Sequence, residues 1–158
     1  MTPYWKVYGA FLAKTLEDEW GQWMPEETEA DMKEILEGAI PYFKFPRVSL
    51  ERNDRGFLAD LNSEEIQILA TYMKCEWLNR SIMTWENVKP LYEERDFSQA
   101  NLLDKLKSTR EYERTNAARL EDFYYRSIDG KSYKYSNLAG SKLWKIILLL
   151  LKKVIIIS

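Results

Sequence analysis

The sequence predicts a mainly α-helical bundle with a long C-terminal helix, a small β-hairpin near residues 45–60 and a terminal strand. Apolar residues recur at helical spacing over most of the chain, and proline and glycine separate these segments. With 46% hydrophobic and 30% charged residues, the composition is that of a folded protein rather than a disordered one. We therefore expect one helical domain over residues 1–140, followed by an apolar tail over residues 141–158.

The first two helices are predicted over Tyr4–Trp20 and Glu27–Ala39. In the first, Val7 and Phe11 lie on one face, and the segment ends before Pro25. The second has a partial apolar stripe, because its apolar residues recur three and four positions apart. Glycine and proline at its end are typical helix terminators.

The segment Pro41–Asp60 has a different pattern, with aromatic residues followed by a short alternating stretch around Val48 and Leu50. Residues 53–56, Asn-Asp-Arg-Gly, have the composition of a tight turn. These features predict either a small hairpin or an irregular loop.

The clearest helix begins after Asn62 or Ser63, because Asn62 and Glu65 have the spacing of a capping box. Apolar residues then occupy two faces, which predicts a central helix that runs past Leu78. A further helical piece is expected over Ser81–Glu94, with a kink or break at its proline.

The last helix is predicted over Ser98–Arg126. Both of its ends are apolar, whereas its middle, Lys107–Asn116, is strongly polar. We expect such a helix to pack at both ends while its middle faces water or a polar partner.

The two ends of the chain carry opposite charge. Residues 1–37 contain nine acidic residues and three lysines, a net charge of -6, whereas residues 131–158 contain six lysines and no acid, a net charge of +6. Opposite charges can attract within one subunit or between neighbouring subunits. The charge pattern is compatible with contact within one subunit and with contact between subunits.

The tail, Leu143–Ser158, contains twelve apolar residues interrupted by three lysines. A membrane span needs about 20 predominantly apolar residues, so we expect no span, although contact with a membrane surface is compatible with the pattern. Val154–Ile157 has the composition of a strand and could add to the sheet of a neighbour. The alternatives are a disordered tail or a helix packed on its own subunit.

The composition argues against most enzyme classes. The chain has no histidine, which excludes histidine-based triads and histidine-ligated metals. Its single cysteine, Cys75, cannot form an internal disulfide or a cysteine-rich zinc site. The six glycines are isolated, so no phosphate-binding loop is present. We expect no enzymatic activity, no cofactor and no metal. Because no basic and apolar leader is visible, we expect a cytosolic location.

Aromatic and arginine side chains are the residue types that anchor protein interfaces. The candidates for such anchors lie on the two long helices and in the tail. They are Trp77, Trp85, Arg110, Tyr112, Arg114, Tyr133, Tyr135, Trp144, Val154, Ile155 and Ile156. The alternative roles are core packing for the tryptophans and solvated ion pairs, worth about 0–1 kcal/mol each, for the arginines.

Residues 61–106 read LNSEEIQILATYMKCEWLNRSIMTWENVKPLYEERDFSQANLLDKL. The pattern LNxEEIxILAxxMxxEWL followed by DFSQANLLDKL resembles the head–tail connector proteins, also called adaptor or neck proteins, of tailed phages and prophages of Gram-positive bacteria. The opening helix and the stretch AIPYFKFP are similar as well. The resemblance covers residues 1 to about 140, and the apolar tail has no counterpart in it.

The resemblance implies a structural virion protein with a helical bundle fold and no enzymatic activity. Such proteins form a ring, commonly a dodecamer, that binds the portal protein, contacts the next neck or tail protein and continues the DNA channel. DNA would pass through as cargo, and the protein would be found in the host cytoplasm before assembly and in the virion afterwards. The alternative is a small phage-encoded protein that binds and regulates a host protein.

Overall fold

The computed structural model describes residues 1–15, 24–88 and 97–126, and it confirms a mainly helical fold. Within these residues there are four α-helices: α1 (Tyr4–Leu12), α2 (Pro25–Ala39), α3 (Ser63–Val88) and α4 (Phe97–Arg126). A short 3-10 turn over Ile40–Tyr42 follows α2. The predicted terminal strand lies outside the described residues.

The predicted hairpin is present, and it belongs to a three-stranded antiparallel sheet. Its strands have two residues each: β1 (Thr2–Pro3), β2 (Arg52–Asn53) and β3 (Gly56–Phe57), in the order β1-β3-β2. The N-terminal strand was not predicted. The alternating stretch around Val48 and Leu50 is not a strand, so this part of the chain is irregular as far as Arg52.

The turn between β2 and β3 depends on Asn53 and Gly56. The Asn53 side-chain oxygen accepts hydrogen bonds from the backbone N–H groups of Arg55 at 2.9 Å and Gly56 at 3.2 Å. Gly56 has a φ of 155°, and a Cβ atom there would lie 2.7 Å from the Cα of Pro3. Glycine is therefore required, both for the backbone conformation and for the close approach of β1.

Helix α1 ends at Leu12, eight residues before the end that the sequence predicted. The reason is visible at the carbonyl of Phe11, which accepts hydrogen bonds from the Lys14 N–H at 2.9 Å and from the Thr15 hydroxyl at 3.0 Å. These bonds tighten the chain into a turn that does not continue the α-helical ladder. The remainder of the predicted helix lies outside the described residues.

Helix α2 begins two residues earlier than predicted. Pro25 occupies its first turn, where the missing N–H costs no helical hydrogen bond. The backbone N–H of Met24 lies 3.4 Å from a carboxylate oxygen of Glu27. Met32, Ile35, Leu36 and Ala39 form its buried face, the last three fully so. The helix is thus amphipathic, as its partial apolar stripe predicted.

Helix α3 is the central element, as predicted, and it continues as one helix through residues 81–88, where a further helical piece was expected. The predicted kink or break at Pro90 lies outside the described residues. The capping box is present: the Glu65 N–H donates to the Asn62 side chain at 2.9 Å, and the Asn62 N–H donates to the Glu65 carboxylate at 2.8 Å. One face packs on α1 and α2. Its buried apolar side chains are those of Ile68, Leu69, Ala70, Met73, Cys75, Leu78 and Ile82.

Helix α4 begins at Phe97, one residue before the predicted start, and ends at Arg126 as predicted. By its internal contacts the chain divides into two units, Met1–Glu121 and Asp122–Ser158. In the second unit the described residues are the last turn of α4, where Asp122 and Arg126 form an ion pair at 2.8 Å. The predicted domain boundary at residue 140 lies outside the described residues.

Candidate interaction surfaces

The polar middle of α4 faces a polar partner, and that partner is α3. Leu103, Leu106, Arg110, Glu113, Ala117 and Leu120 are spaced alternately three and four residues apart, so they line one stripe of the helix. All six are buried or half-buried. The ends of the stripe are apolar, whereas its centre carries one positive and one negative side chain.

Polar contacts connect α3 with α4. Lys74 Nζ lies 2.6 Å from a carboxylate oxygen of Glu113, Arg110 donates to the Asn79 side chain at 3.4 Å, and Lys107 lies 2.8 Å from Glu86. As the α3 residue number rises from 74 to 86, the number of its α4 partner falls from 113 to 107. The two helices are therefore antiparallel, and charged residues hold their register.

The two predicted interface arginines, Arg110 and Arg114, both have partners within the chain. Arg110 is half-buried and contacts Asn79 and, at 3.0 Å, the carboxylate of Glu111. Arg114 is exposed and lies 3.8 Å from the same carboxylate. Both arginines therefore contact the carboxylate of Glu111, and Arg110 also belongs to the stripe of α4 that faces α3.

The predicted aromatic anchors differ in exposure. Trp77 and Trp85 lie on the single helix α3, and both are half-buried. Tyr112 lies on α4 and is 69% exposed, which fits a side chain available to a partner. The remaining candidates lie outside the described residues: Tyr133, Tyr135, Trp144, Val154, Ile155 and Ile156.

The structure also exposes large apolar side chains that the sequence reading did not single out. Trp5 on α1 is 68% exposed, and Phe45 after α2 is 72% exposed. The signal for Trp5 was available: it lies two residues before Val7 and six before Phe11, so it faces away from the stripe that both residues define. Phe45 gave no such signal, because it lies in an irregular segment.

An open groove lies beside Trp5. Its volume is about 720 Å³, and it is bounded by α1, the first half of α2 and the turn between β2 and β3. Most of its surface is apolar, with Trp5, Leu12 and Met32 among the lining residues. Glu29 and Asp54 supply carboxylates to the same lining. The groove is thus an apolar concavity with charged residues beside it.

Charged contacts between elements involve three acidic residues in the middle and second half of α2. Arg80 on α3 lies 3.1 Å from Asp31 and 3.3 Å from Glu34. Arg52 on β2 is bound to Glu37, and this hydrogen-bonded pair lowers the pKa of the Glu37 carboxyl. These contacts are structural, because each joins two elements of one subunit.

The single thiol is placed for packing rather than for chemistry. Cys75 is buried, and burial raises its pKa to about 11, with the carboxylate of Glu113 adding to the rise. A thiol with such a pKa is almost entirely protonated at neutral pH and is a poor nucleophile. Among the described residues there is also no cluster of three or more side chains suited to holding a metal ion.

No family model, curated protein or solved structure matches this chain. Within the described residues, none of the helices has the length and apolar character that crossing a membrane requires. The fold and surfaces described above are therefore the basis for a functional proposal, together with the sequence resemblance of residues 61–106.

Proposed function

We propose that this chain is a structural virion protein that forms a ring at the head–tail junction, joining the portal to the tail and continuing the DNA channel. The observation that carries the proposal is the exposure of large aromatic side chains on separate elements: Trp5, Phe45 and Tyr112 are each about 70% exposed. Aromatic residues are enriched in protein interfaces. In a ring, each subunit must offer two different surfaces, one to each neighbour.

The sequence resemblance supports the specific place of the ring. The described residues of this stretch include α3 and the first part of α4, and Ile68, Leu69, Met73 and Leu78 within it are buried. The apolar residues of the pattern therefore pack in the core, and Asn62 caps the helix at its start. The burial of these residues supports the helical bundle that the resemblance implies, and the role at the junction is what the resemblance adds to the proposal.

The charge of the chain is compatible with a conduit for DNA. The net charge is -2, and Arg52 and Arg80 form ion pairs with carboxylates of the same chain. Each phosphate contact strengthens DNA binding and slows passage through a channel. We therefore expect weak DNA binding with few phosphate contacts, and hence only a shallow dependence on salt concentration.

Native mass spectrometry of the purified full chain tests the proposal, with electron microscopy of the same sample. We expect a closed ring with a single copy number and a central opening. Replacing Tyr112 with Ser should weaken the ring, whereas the matched change of Thr115 to Ser, also exposed on α4, should leave it intact. A protein that stays monomeric at all concentrations, and is absent from purified particles, would contradict the proposal.

The second candidate is a small phage-encoded protein that binds a host protein. The same exposed aromatic side chains favour it, and one of them, Trp5, lines a groove together with Pro25 and Glu29 of α2. Co-purification from host cells distinguishes the two candidates. Recovery of one host protein in equal amounts, with the chain absent from virions, would favour this second function over the ring.

A further inference from the structure

The groove beside Trp5 is an apolar surface that the described part of the subunit leaves open. On α1, Tyr4, Val7, Tyr8 and Phe11 are buried, whereas the opposite face is exposed at Trp5 and Leu12. Between these two residues lies Gly9, where an added Cβ atom would have no neighbour within 4 Å. The face is therefore open over two turns of the helix.

The size of the groove suits a segment of polypeptide. A volume of about 720 Å³ is within the range of roughly 300–1,000 Å³ that is typical of ligand clefts. Exposed apolar patches of this kind on soluble proteins mark interaction sites. An apolar side chain that enters the groove would contact Trp5 and Leu12, which line it and are exposed.

The acidic residues that remain beside the groove favour a basic occupant. On α2, Asp31, Glu34 and Glu37 are paired with arginines from other elements. Glu26 and Glu29 have no ion pair within the described residues, and Glu29 lines the groove. The positive side chains nearby are Arg55 in the lining, Lys33, which lies 3.9 Å from Asp54, and Lys6, whose Nζ lies 5.9 Å from the centre of the Trp5 ring.

We propose that this groove binds residues 152–157 of a second copy of this chain, a step that rests on the ring described above. That segment, Lys-Lys-Val-Ile-Ile-Ile, joins two lysines to four consecutive apolar residues, and residues 131–158 contain no acid. The apolar residues fill the groove, and the lysines face Glu29 and Glu26. A head-to-tail contact of this kind uses different surfaces on the two copies, as ring closure requires.

Disulfide cross-linking between copies tests the proposal. The full chain carries Gly9→Cys in the groove and Ile155→Cys in the tail. The native thiol of Cys75 does not compete for disulfide formation, because it is buried and its pKa is raised to about 11. Gly9→Cys is accommodated, because the new side chain has open space. The matched control pairs Ile155→Cys with Ser108→Cys, a nearly isosteric change at an exposed position of α4.

Under mild oxidation, we expect the Gly9→Cys, Ile155→Cys protein to form a ladder of covalent multimers on a non-reducing gel, and the control to stay monomeric. Adding Glu29→Lys should slow the cross-linking about two- to fivefold, the range that corresponds to one exposed charge pair. The same charge reversal at Asp104, exposed on α4, should leave the rate unchanged.

The outcomes separate this inference from the ring itself. Rings by native mass spectrometry without a ladder would overturn the inference and leave the ring standing. A cross-linked species that remains monomeric would show that the tail occupies the groove of its own subunit, which also overturns the inference. A ladder from a protein that forms open chains rather than closed rings would support the inference and contradict the ring.

Discussion

The ion pair between Lys74 and Glu113 should decide how firmly α3 and α4 are held together. The two side chains lie 2.6 Å apart, and they are only 18% and 10% exposed. Removing one partner of a fully buried pair costs about 3–5 kcal/mol, because the other charge is left unpaired in the interior. Since about a fifth of the lysine side chain stays in water, we expect Glu113→Leu to cost about 2–3 kcal/mol.

Urea unfolding of the full chain, followed by circular dichroism at several protein concentrations, measures this loss and separates it from any effect on association. The control is Glu86→Gln, which breaks the ion pair of Glu86 with Lys107 between the same two helices. Both of its partners are more than 40% exposed, so we expect a loss of at most about 1 kcal/mol.

Removing both charges gives a second, sharper expectation. In the variant that combines Lys74→Met with Glu113→Leu, no charge is left unpaired, and most of the lost stability should return. A single-variant loss no larger than that of the Glu86 control would refute the reasoning, because the pair would then behave as a solvated surface contact. A double variant less stable than either single variant would refute it as well.

Three further predictions concern stability. The Tyr8 hydroxyl is buried without a hydrogen-bond partner among the described residues, so Tyr8→Phe should raise the free energy of unfolding by about 1 kcal/mol; a loss of stability would show that the hydroxyl is satisfied. Gly56→Ala should lower the melting temperature by several degrees, since a Cβ atom would collide with β1; an unchanged value would mean that the turn relaxes freely. The hydrogen bond from Arg52 lowers the pKa of the Glu37 carboxyl in the folded state. The pair therefore stabilises the fold fully at pH values above the pKa of this carboxyl in the unfolded chain. That stabilisation is lost as the pH falls through the pKa of the folded state. Unfolding measured against pH should accordingly be less steep on the acidic side for Arg52→Gln, and an unaltered profile would contradict this assignment.

Local signals in the sequence were sufficient for α3. The spacing of Asn62 and Glu65 predicted the capping box, and both of its hydrogen bonds are present. The polar middle of α4 was also evident from the sequence. Its partner was not, because the alignment of Lys74 with Glu113 depends on how the two helices pack, over a separation of 39 residues.

The errors in the predicted fold arose where short-range patterns compete with hydrogen bonding and tertiary contacts. The apolar spacing of α1 continues beyond Leu12, but the turn at Lys14 and Thr15 ends the helix. Strand β1 has only two residues and forms because β3 lies beside it, with Thr2 opposite Phe57. No pattern within two residues predicts such a strand.

Of the predicted interface anchors within the described residues, Tyr112 is the most exposed. Helical spacing places Arg110, two positions earlier, on a different side of α4, but it does not show which side faces α3. The groove beside Trp5 was not predictable, because three separate elements form it. Exposure and concavity are properties of the assembled fold rather than of any one segment.

The mass of the assembled full chain in solution is the most direct test of ring formation. We expect one closed oligomer, with a single copy number by native mass spectrometry and a central opening in electron micrographs. A monomer that forms no ring at any concentration, whether alone or with portal protein present, would contradict it.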